Sequence, residues 1–500
     1  MRYVVCWIVL LGVAAVAPGA AADWGARVAK LADANGEGLA ALKKEIVAGG
    51  IDAHAALAEG PDATWALRLE LRRQIRKARD EAARKRGLVV HEWGAVGFGQ
   101  GVEGGRLDLG TDASDLPEFV QRWDEIARQR GGADDPNAGG ENAAPGVKIE
   151  IIKKPIIYFY SDRPETMRVD VGCPNGLLTT WWPKATKVMP DPFDGSVTDM
   201  KAALDQGGAV LTWRNFELQP AAAAEADGPA APVELPAVPA HAWWWPICRD
   251  TDSTLVNVNG TLEKFLFYRG ILAGAEPALK VDGGAGQKYG VTNTLRGEAV
   301  RHVLAVHVAG GKARYRYIAS IAPGAKAALD MGAAAKDLKA TTAADLRERL
   351  ADLLEDEGLF PKEAAGMSKI WQKPWFEDGG LRVIFFSPRG ATESLLPLRI
   401  DPKPAQVVRT LLVGVECLKD SKENVVAELI RQLGDGDFGE REAAQRKLIQ
   451  LGRANEKALG DALRKADDEE VRQRLSTVLR RISAAAEEPP KVDDDNEGEK

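Results

Sequence analysis

Two sets of residues in this chain have types and spacings that could do chemistry. The first is acid–base. His91-Glu92-Trp93-Gly94 sets an imidazole beside a carboxylate, and Glu263-Lys264-Phe265-Leu266-Phe267-Tyr268-Arg269-Gly270 carries a carboxylate, a phenol and a guanidinium in one short run. A hydrolase could draw its general acid and base from these groups, His91 or Glu92 acting with Glu263, Tyr268 or Arg269. Strand alternation works against the first pairing. It sends His91 and Trp93 to one side and Glu92 to the other. In the second run it places Glu263, Phe265, Phe267 and Arg269 on one face, where the charged ends could pair, or the segment could simply be a core strand with polar ends. The second set is aromatic. Trp181-Trp182-Pro183 and Trp243-Trp244-Trp245-Pro246 stand out among 13 tryptophans. Consecutive rings on a strand cannot all enter one core, so Trp181, Trp182, Trp243, Trp244 and Trp245 are candidates to line a groove that stacks on sugar faces or apolar peptides. The competing reading is that the Ala/Pro-rich segment beside them covers the rings.

Other chemistries lack support in the spacing. Gly94, Gly97, Gly99 and Gly101 rule out a helical H-E-x-x-H at His91. No spacing signal supports a zinc site assembled from His91, His241 and His302 or His307, and Cys173, Cys248 and Cys417 form no C-x-x-C pair. No metal or cofactor is therefore expected. A Cys173–Cys248 disulfide and three buried thiols are both open, with the thiols preferred. Gly97-Phe98-Gly99-Gln100-Gly101 lacks the helix a dinucleotide site needs, and neither a nucleophile elbow nor a phosphate loop is present. With 66 basic against 73 acidic residues the formal net charge is −7, which argues against a nucleic-acid partner.

The elements that would position these residues follow from pattern changes. Residues 1–22 have an Arg2 start, an apolar run from Val4 to Val16 and Ala20-Ala21-Ala22, the layout of a cleaved secretory signal peptide. Export to the periplasm or outside the cell, without stable membrane insertion after cleavage, is the expectation. Residues 23–87 read as a helical N-terminal segment, with Leu31, Leu39, Leu42 and Ile46 at helical spacing and breaks near Gly49-Gly50 and Gly60-Pro61. From Leu88 to about residue 420 short apolar runs alternate with Gly, Pro, Asn and Asp, the mark of strands. Candidate strands are Leu88–Trp93, Pro155–Tyr160, Met167–Val171, Ala209–Trp213, His302–Val308, Ala313–Ile321, Leu381–Phe386 and Thr410–Cys417. Two inserts, Gly131–Gly146 and Gln219–Ala240, read as loops, and a helical hairpin is embedded at 343–371, turning at Gly358 and Pro361. The fold class expected is mainly β, with a β-sandwich-like central region flanked by helices.

After Lys419 the chain turns helical again and repeats itself. Asp437, Arg441, Ala444, Leu448 and Leu451 recur 31 positions later as Asp468, Arg472, Leu475, Leu479 and Ile482. This spacing resembles HEAT-type helical repeats, and residues 424–485 are read as a short HEAT-like module that docks a protein partner. Residues 486–500 form an acidic tail expected to be disordered.

Several phrases together resemble an uncharacterised family of exported planctomycete-type proteins with an H-E-W-G opening. The matching pieces are Val89–Gly94, Asp115–Val120, Lys154–Asp162, Glu263–Gly270, Trp371–Phe376 and Leu395–Ile400, so the resemblance covers roughly residues 88–418. Ala95-Val96-Gly97 departs from that pattern, and the opening strand is expected to end early. The family carries no established activity, so the resemblance implies no catalytic residue. The reading is an exported binding or assembly protein. Its β-rich body would bind a glycan or peptide and its HEAT-like end a protein. An extracytoplasmic hydrolase, metal-dependent or not, and a structural envelope protein are the alternatives.

Overall fold

The computed structural model describes residues 23–57, 64–100, 106–107, 115–123, 149–192, 207–220, 234–283, 287–332 and 338–417, with most of 426–484 and a few isolated positions. Residues 1–22, read above as a signal peptide, Gly60-Pro61, the 131–146 insert, most of the 219–240 insert and the acidic C-terminal residues lie outside the described residues. The chain divides into two compact units, residues 1–85 and 86–500.

The first unit is helical: α1 (Trp24–Ala29), α2 (Gly36–Ala48), α3 (Gly50–Leu57) and α4 (Trp65–Lys85). Its core is Val28, Leu31, Ile46, Ala53, Leu57, Leu71 and Ile75, with Leu39 and Leu42 packed at the edge. Gly50 starts α3 at φ +59°, a backbone region that costs glycine little and that marks the break after α2.

The second unit opens with β1 (Val89–Gln100), β2 (Arg106–Leu107), β3 (Gln121–Arg122), β4 (Ile149–Tyr160), β5 (Glu165–Cys173), β6 (Gly176–Trp182), β7 (Lys187–Met189) and β8 (Ala209–Gln219). A short helix, α5 (Trp245–Arg249), leads to β9 (Leu255–Val258), β10 (Thr261–Glu263), β11 (Leu266–Ala273), β12 (Leu279–Gly283), β13 (Lys288–Asn293), β14 (Val300–Ala309), β15 (Lys312–Ile321), β16 (Lys326–Asp330) and β17 (Lys339–Thr341). The hairpin α6 (Ala343–Asp356) and α7 (Pro361–Ile370) runs into a π-helical turn, Lys373–Glu377. Then come β18 (Gly380–Phe386), α8 (Arg389–Leu395), β19 (Leu398–Asp401) and β20 (Gln406–Cys417). The chain continues through α9 (Phe438–Gln450), α10 (Glu456–Lys465) and α11 (Glu469–Ala484).

An 11-stranded sheet, ordered β17-β15-β14-β18-β20-β1-β4-β11-β6-β3 with β2 on β1, forms the middle layer. Its central β1·β20 pair is parallel, in register from Val89↔Gln406 to Gln100↔Cys417. A six-stranded sheet (β10-β9-β8-β5-β19, with β7 on β8) and a three-stranded one (β12-β13-β16) cover one face. The shared core there includes Val90, Val96, Phe98, Phe159, Val169, Trp213, Phe216, Val256, Val291 and Val413. The opposite face carries α5, α6, α7 and the π-helical turn: Phe360 lies against His91, and a side chain added at Gly414 would meet the Trp375 indole at 3.1 Å.

Of the described residues 38% are helical and 36% lie in strands, so they form a mixed α and β structure with large sheets rather than a mainly β one. Helices α5 and α8 and the π-helical turn add to the helical segments expected from the sequence, of which the hairpin is the largest on the sheet. Amphipathic α6 buries Leu346, Leu350, Leu353 and Leu354 behind a capping box at Thr342 and Asp345. The opening strand does not end early. Gly97 and Gly99 stay in β1, held on one side by β20 through Cys417.

The terminal helices share a core of Val426, Leu429, Leu433, Ala444, Leu448, Leu459, Leu475, Val478 and Ile482. The 31-residue period reappears in their hydrogen bonds. Arg441 Nη1 donates to the Asp435 carbonyl at 2.7 Å, and Arg472 Nη2 to the Ala466 carbonyl at 2.7 Å, each six residues back. Asp437 and Leu451 lie outside the described residues.

Candidate functional site

A β-bulge organises the helix-covered face of the middle sheet. Trp93 pairs with Ile156 and Ala95 with Lys153, so Gly94 alone stands opposite both Lys154 and Pro155. A Cβ on Gly94 would lie 2.9 Å from the Pro155 Cα, so only glycine lets the two strands close here. Lys154 takes φ +54°, rare for a side chain of this size. Its ammonium pairs with Asp115 at 2.8 Å and lies 5.0 and 5.5 Å from the Trp244 and Trp371 ring centres. Asp115 also receives Arg269 Nη2 at 2.7 Å, and its carbonyl accepts from the Trp244 indole at 2.9 Å. Burial alone would push the Asp115 carboxyl up, but the charges and hydrogen bonds of Arg269 and Lys154 outweigh it and hold the group well below the usual carboxylate range.

The sequence candidates divide among separate networks. His91 is fully buried on the helix side, its Nδ1 2.9 Å and 3.2 Å from the two oxygens of Glu363 on α7. The Tyr160 hydroxyl donates to the same carboxylate, and Phe360 packs on the imidazole at 4.4 Å. The His91 Nε2 has no hydrogen-bond partner among the described residues. Glu92 faces the other way, as alternation requires. It accepts from the Tyr268 hydroxyl at 2.7 Å and from Arg409 Nε at 2.5 Å, while Arg409 Nη2 donates to the Leu396 carbonyl. Burial, and next the Glu92 charge, push the Tyr268 phenol well above its ordinary pKa, so it stays a donor.

Glu263 forms a third network. Its fully buried carboxylate accepts from Arg249 Nε at 2.9 Å and Nη2 at 2.7 Å, from the Trp182 and Trp245 indoles at 3.3 Å each, and from the Lys264 amide at 2.8 Å. Glu263 and Arg269 do not pair across the aromatic run. Glu263 ends β10, the chain turns before β11, and each charge finds a nearer partner, Arg249 and Asp115. His302 and His307 sit elsewhere, on β14, bonded to Tyr317 at 2.8 Å and to Arg314 at 3.2 Å. The His241 Nε2 donates to the Leu116 carbonyl at 3.1 Å. Among the described residues no three His, Cys, Asp or Glu side chains converge as metal ligands. Cys173, Cys248 and Cys417 are free thiols.

The tryptophans separate as well. Trp181 and Trp182 are both buried, because β6 lies in a sheet covered on both faces: Trp181 joins the core between the sheets, and Trp182 meets Glu263 and Phe119. Trp243–Trp245 is helical rather than extended, with Pro246 in the first turn of α5. Trp244 and Trp245 are fully enclosed. Trp243 is 50% exposed.

Sequence reasoning did not single out Asp115, Lys154, Tyr160, Arg249, Glu363 or Arg409. Asp115, Lys154 and Tyr160 lie in the segments 115–120 and 154–162, which meet on this face of the sheet. No family model matches the chain, and no curated protein is detectably similar to it.

Proposed function

We propose that this chain is an exported binding and assembly protein whose β-rich body takes a glycan or peptide ligand on Trp243. One observation carries the reading. Trp244 and Trp245 are locked into the core by the Asp115 carbonyl and by Glu263, and this anchorage holds the neighbouring Trp243 ring out in solvent. A large planar ring exposed on a rigid base suits stacking on a sugar face or a proline-rich segment. His241, two residues before it and 45% exposed, stands 3.9 Å from Glu118.

The hydrolase reading draws less support. Its candidates His91, Glu92 and Glu263 are spread over three networks, two on one face of the sheet and one on the other, each held by different partners. The helical C-terminus, with its two matched arginine-to-carbonyl bonds, is read as the HEAT-like module that docks a protein partner. Isothermal titration of the mature protein with soluble β-linked oligosaccharides and with a proline-rich peptide tests the ligand reading. Binding by one class, weakened in Trp243→Ala, supports it; unchanged binding in that variant refutes the site.

A further inference from the structure

The bulge in β4 turns two consecutive lysines to one side of the sheet. Regular alternation would send Lys153 and Lys154 to opposite faces, but the extra residue opposite Gly94 interrupts it. Lys154 finds Asp115 and two indoles. Lys153, half-buried as the cross-strand partner of Ala95, makes no ion pair or hydrogen bond among the described residues.

The charges around Lys153 make this costly. Three more cations lie within electrostatic range of it: Lys154 beside it on β4, Arg269, which shares Asp115 with Lys154, and Lys447 on α9. Of the carboxylates within electrostatic range, Asp115 is held by Lys154 and Arg269, and Glu416 by Arg382 at 2.8 Å. Burial, then repulsion from Lys154, Lys447 and Arg269, pushes the Lys153 ammonium down to about 8 despite the pull of Asp115. A sheltered ammonium among cations destabilises the free protein, and the group that relieves it is an anion.

We infer that Lys153, with Lys154, Arg269 and Lys447 around it, binds a small oxyanion group, the carboxylate or phosphate of a ligand. Lys153 makes the direct contact as a compact point charge. Lys154 and Arg269, fixed on Asp115, supply the surrounding field. The inference does not depend on ligand stacking at Trp243.

Thermal unfolding of the full mature chain near pH 7, at constant ionic strength in chloride, with rising inorganic phosphate or acetate, tests it. At least one of the two is expected to give a saturable rise in Tm. Lys153→Met should abolish that rise, while Lys187→Met on exposed β7 keeps it. Because Lys153→Met removes an unpaired charge, it should melt no lower than the parent without added anion, so loss of the response is separable from loss of the fold. A second readout is labelling of the Lys153 amine by acetic anhydride as a function of pH. Its midpoint should lie near 8 without the anion and rise by about one unit at saturation, because an opposite charge favours the ammonium. The inference is overturned if neither anion acts beyond chloride, if Lys153→Met keeps the response, or if Lys153 labels with the ordinary lysine midpoint of about 10.4.

Discussion

Glu263 should hold the fold rather than react, and removing it should be expensive. Its carboxylate is fully buried and takes five donors: two from Arg249, two indoles and the Lys264 amide. Glu263→Ala leaves the Arg249 guanidinium, only 15% exposed, without its counter-charge. Breaking a buried ion pair by deleting one partner costs about 3–5 kcal/mol. Stranding the Trp182 and Trp245 N–H groups adds about 1–3 kcal/mol each unless water reaches them. A loss of at least about 3–5 kcal/mol is expected for Glu263→Ala, and more if the two indoles stay dry. Glu263→Gln, which keeps the shape and one acceptor oxygen, should lose about 2–3 kcal/mol, the worth of charge-assisted bonds. Urea unfolding near pH 7, followed by tryptophan fluorescence and near-ultraviolet circular dichroism, reads both as midpoint shifts at constant slope. The double variant Glu263→Gln/Arg249→Met should cost less than the sum of its single changes by at least about 1 kcal/mol, because the two groups form one unit. A loss under about 1 kcal/mol for Glu263→Ala, or strict additivity, would refute the reasoning.

The other networks make equally specific demands. Asp115→Asn should cost about 2–4 kcal/mol near pH 7, since it removes the partner of two buried cations. Because the native carboxyl is held below its ordinary range, the advantage of the parent is complete above the unfolded pKa of about 3.9 and shrinks as pH falls further; urea midpoints of the two proteins should converge between about pH 4 and pH 2. Burial pushes the Cys173 and Cys417 thiols up to about 12 and Cys248 higher still. Iodoacetamide near pH 8 should therefore label the folded mature chain far more slowly than the chain in urea, which should take three labels without reduction; a Cys173–Cys248 disulfide in its intact mass would contradict the structure. Arg441→Ala and Arg472→Ala each lose a charged donor to a backbone carbonyl, and each should lower the stability of the C-terminal helices by about 1.5–3 kcal/mol. A large loss in one and none in the other would show that the 31-residue period is not a structural repeat.

Local pattern made much of the scaffold legible. Alternation along β1 separates His91 from Glu92, and Gly358 with Pro361 marks the turn of the α6–α7 hairpin. What lay beyond local pattern was pairing over long stretches of chain. Glu92 meets Arg409 across 317 positions and His91 meets Glu363 across 272, and nothing in the flanking residues encodes either contact. Alternation also misled where the strand was irregular. The turn after Glu263 parts it from Arg269, and the bulge opposite Gly94 sets Lys154 beside Trp244 and Trp371. As strand residues, the tryptophans of each cluster would compete for one core. A sheet covered on both sides accommodates Trp181 and Trp182 together, whereas the helical turn at Trp243 leaves one ring outside. The helix content of residues 88–418 was underread for a related reason: beyond the expected hairpin, α5, α8 and the π-helical turn are short and lie between strands, so the strand pattern dominates the composition.

Fluorine NMR of the chain labelled with 5-fluorotryptophan tests the central claim most directly. Comparison with Trp243→Phe assigns the Trp243 resonance among the 13 of the full sequence. This signal should respond more strongly to solvent isotope than those of the enclosed Trp181, Trp182, Trp244 and Trp245 and should shift on titration with the binding oligosaccharide or peptide, and Trp243→Ala should weaken binding about ten-fold, in keeping with the loss of a stacking ring of roughly 1–1.5 kcal/mol. A ligand that shifts the enclosed Trp181, Trp182, Trp244 or Trp245 signals while Trp243 stays still would contradict it.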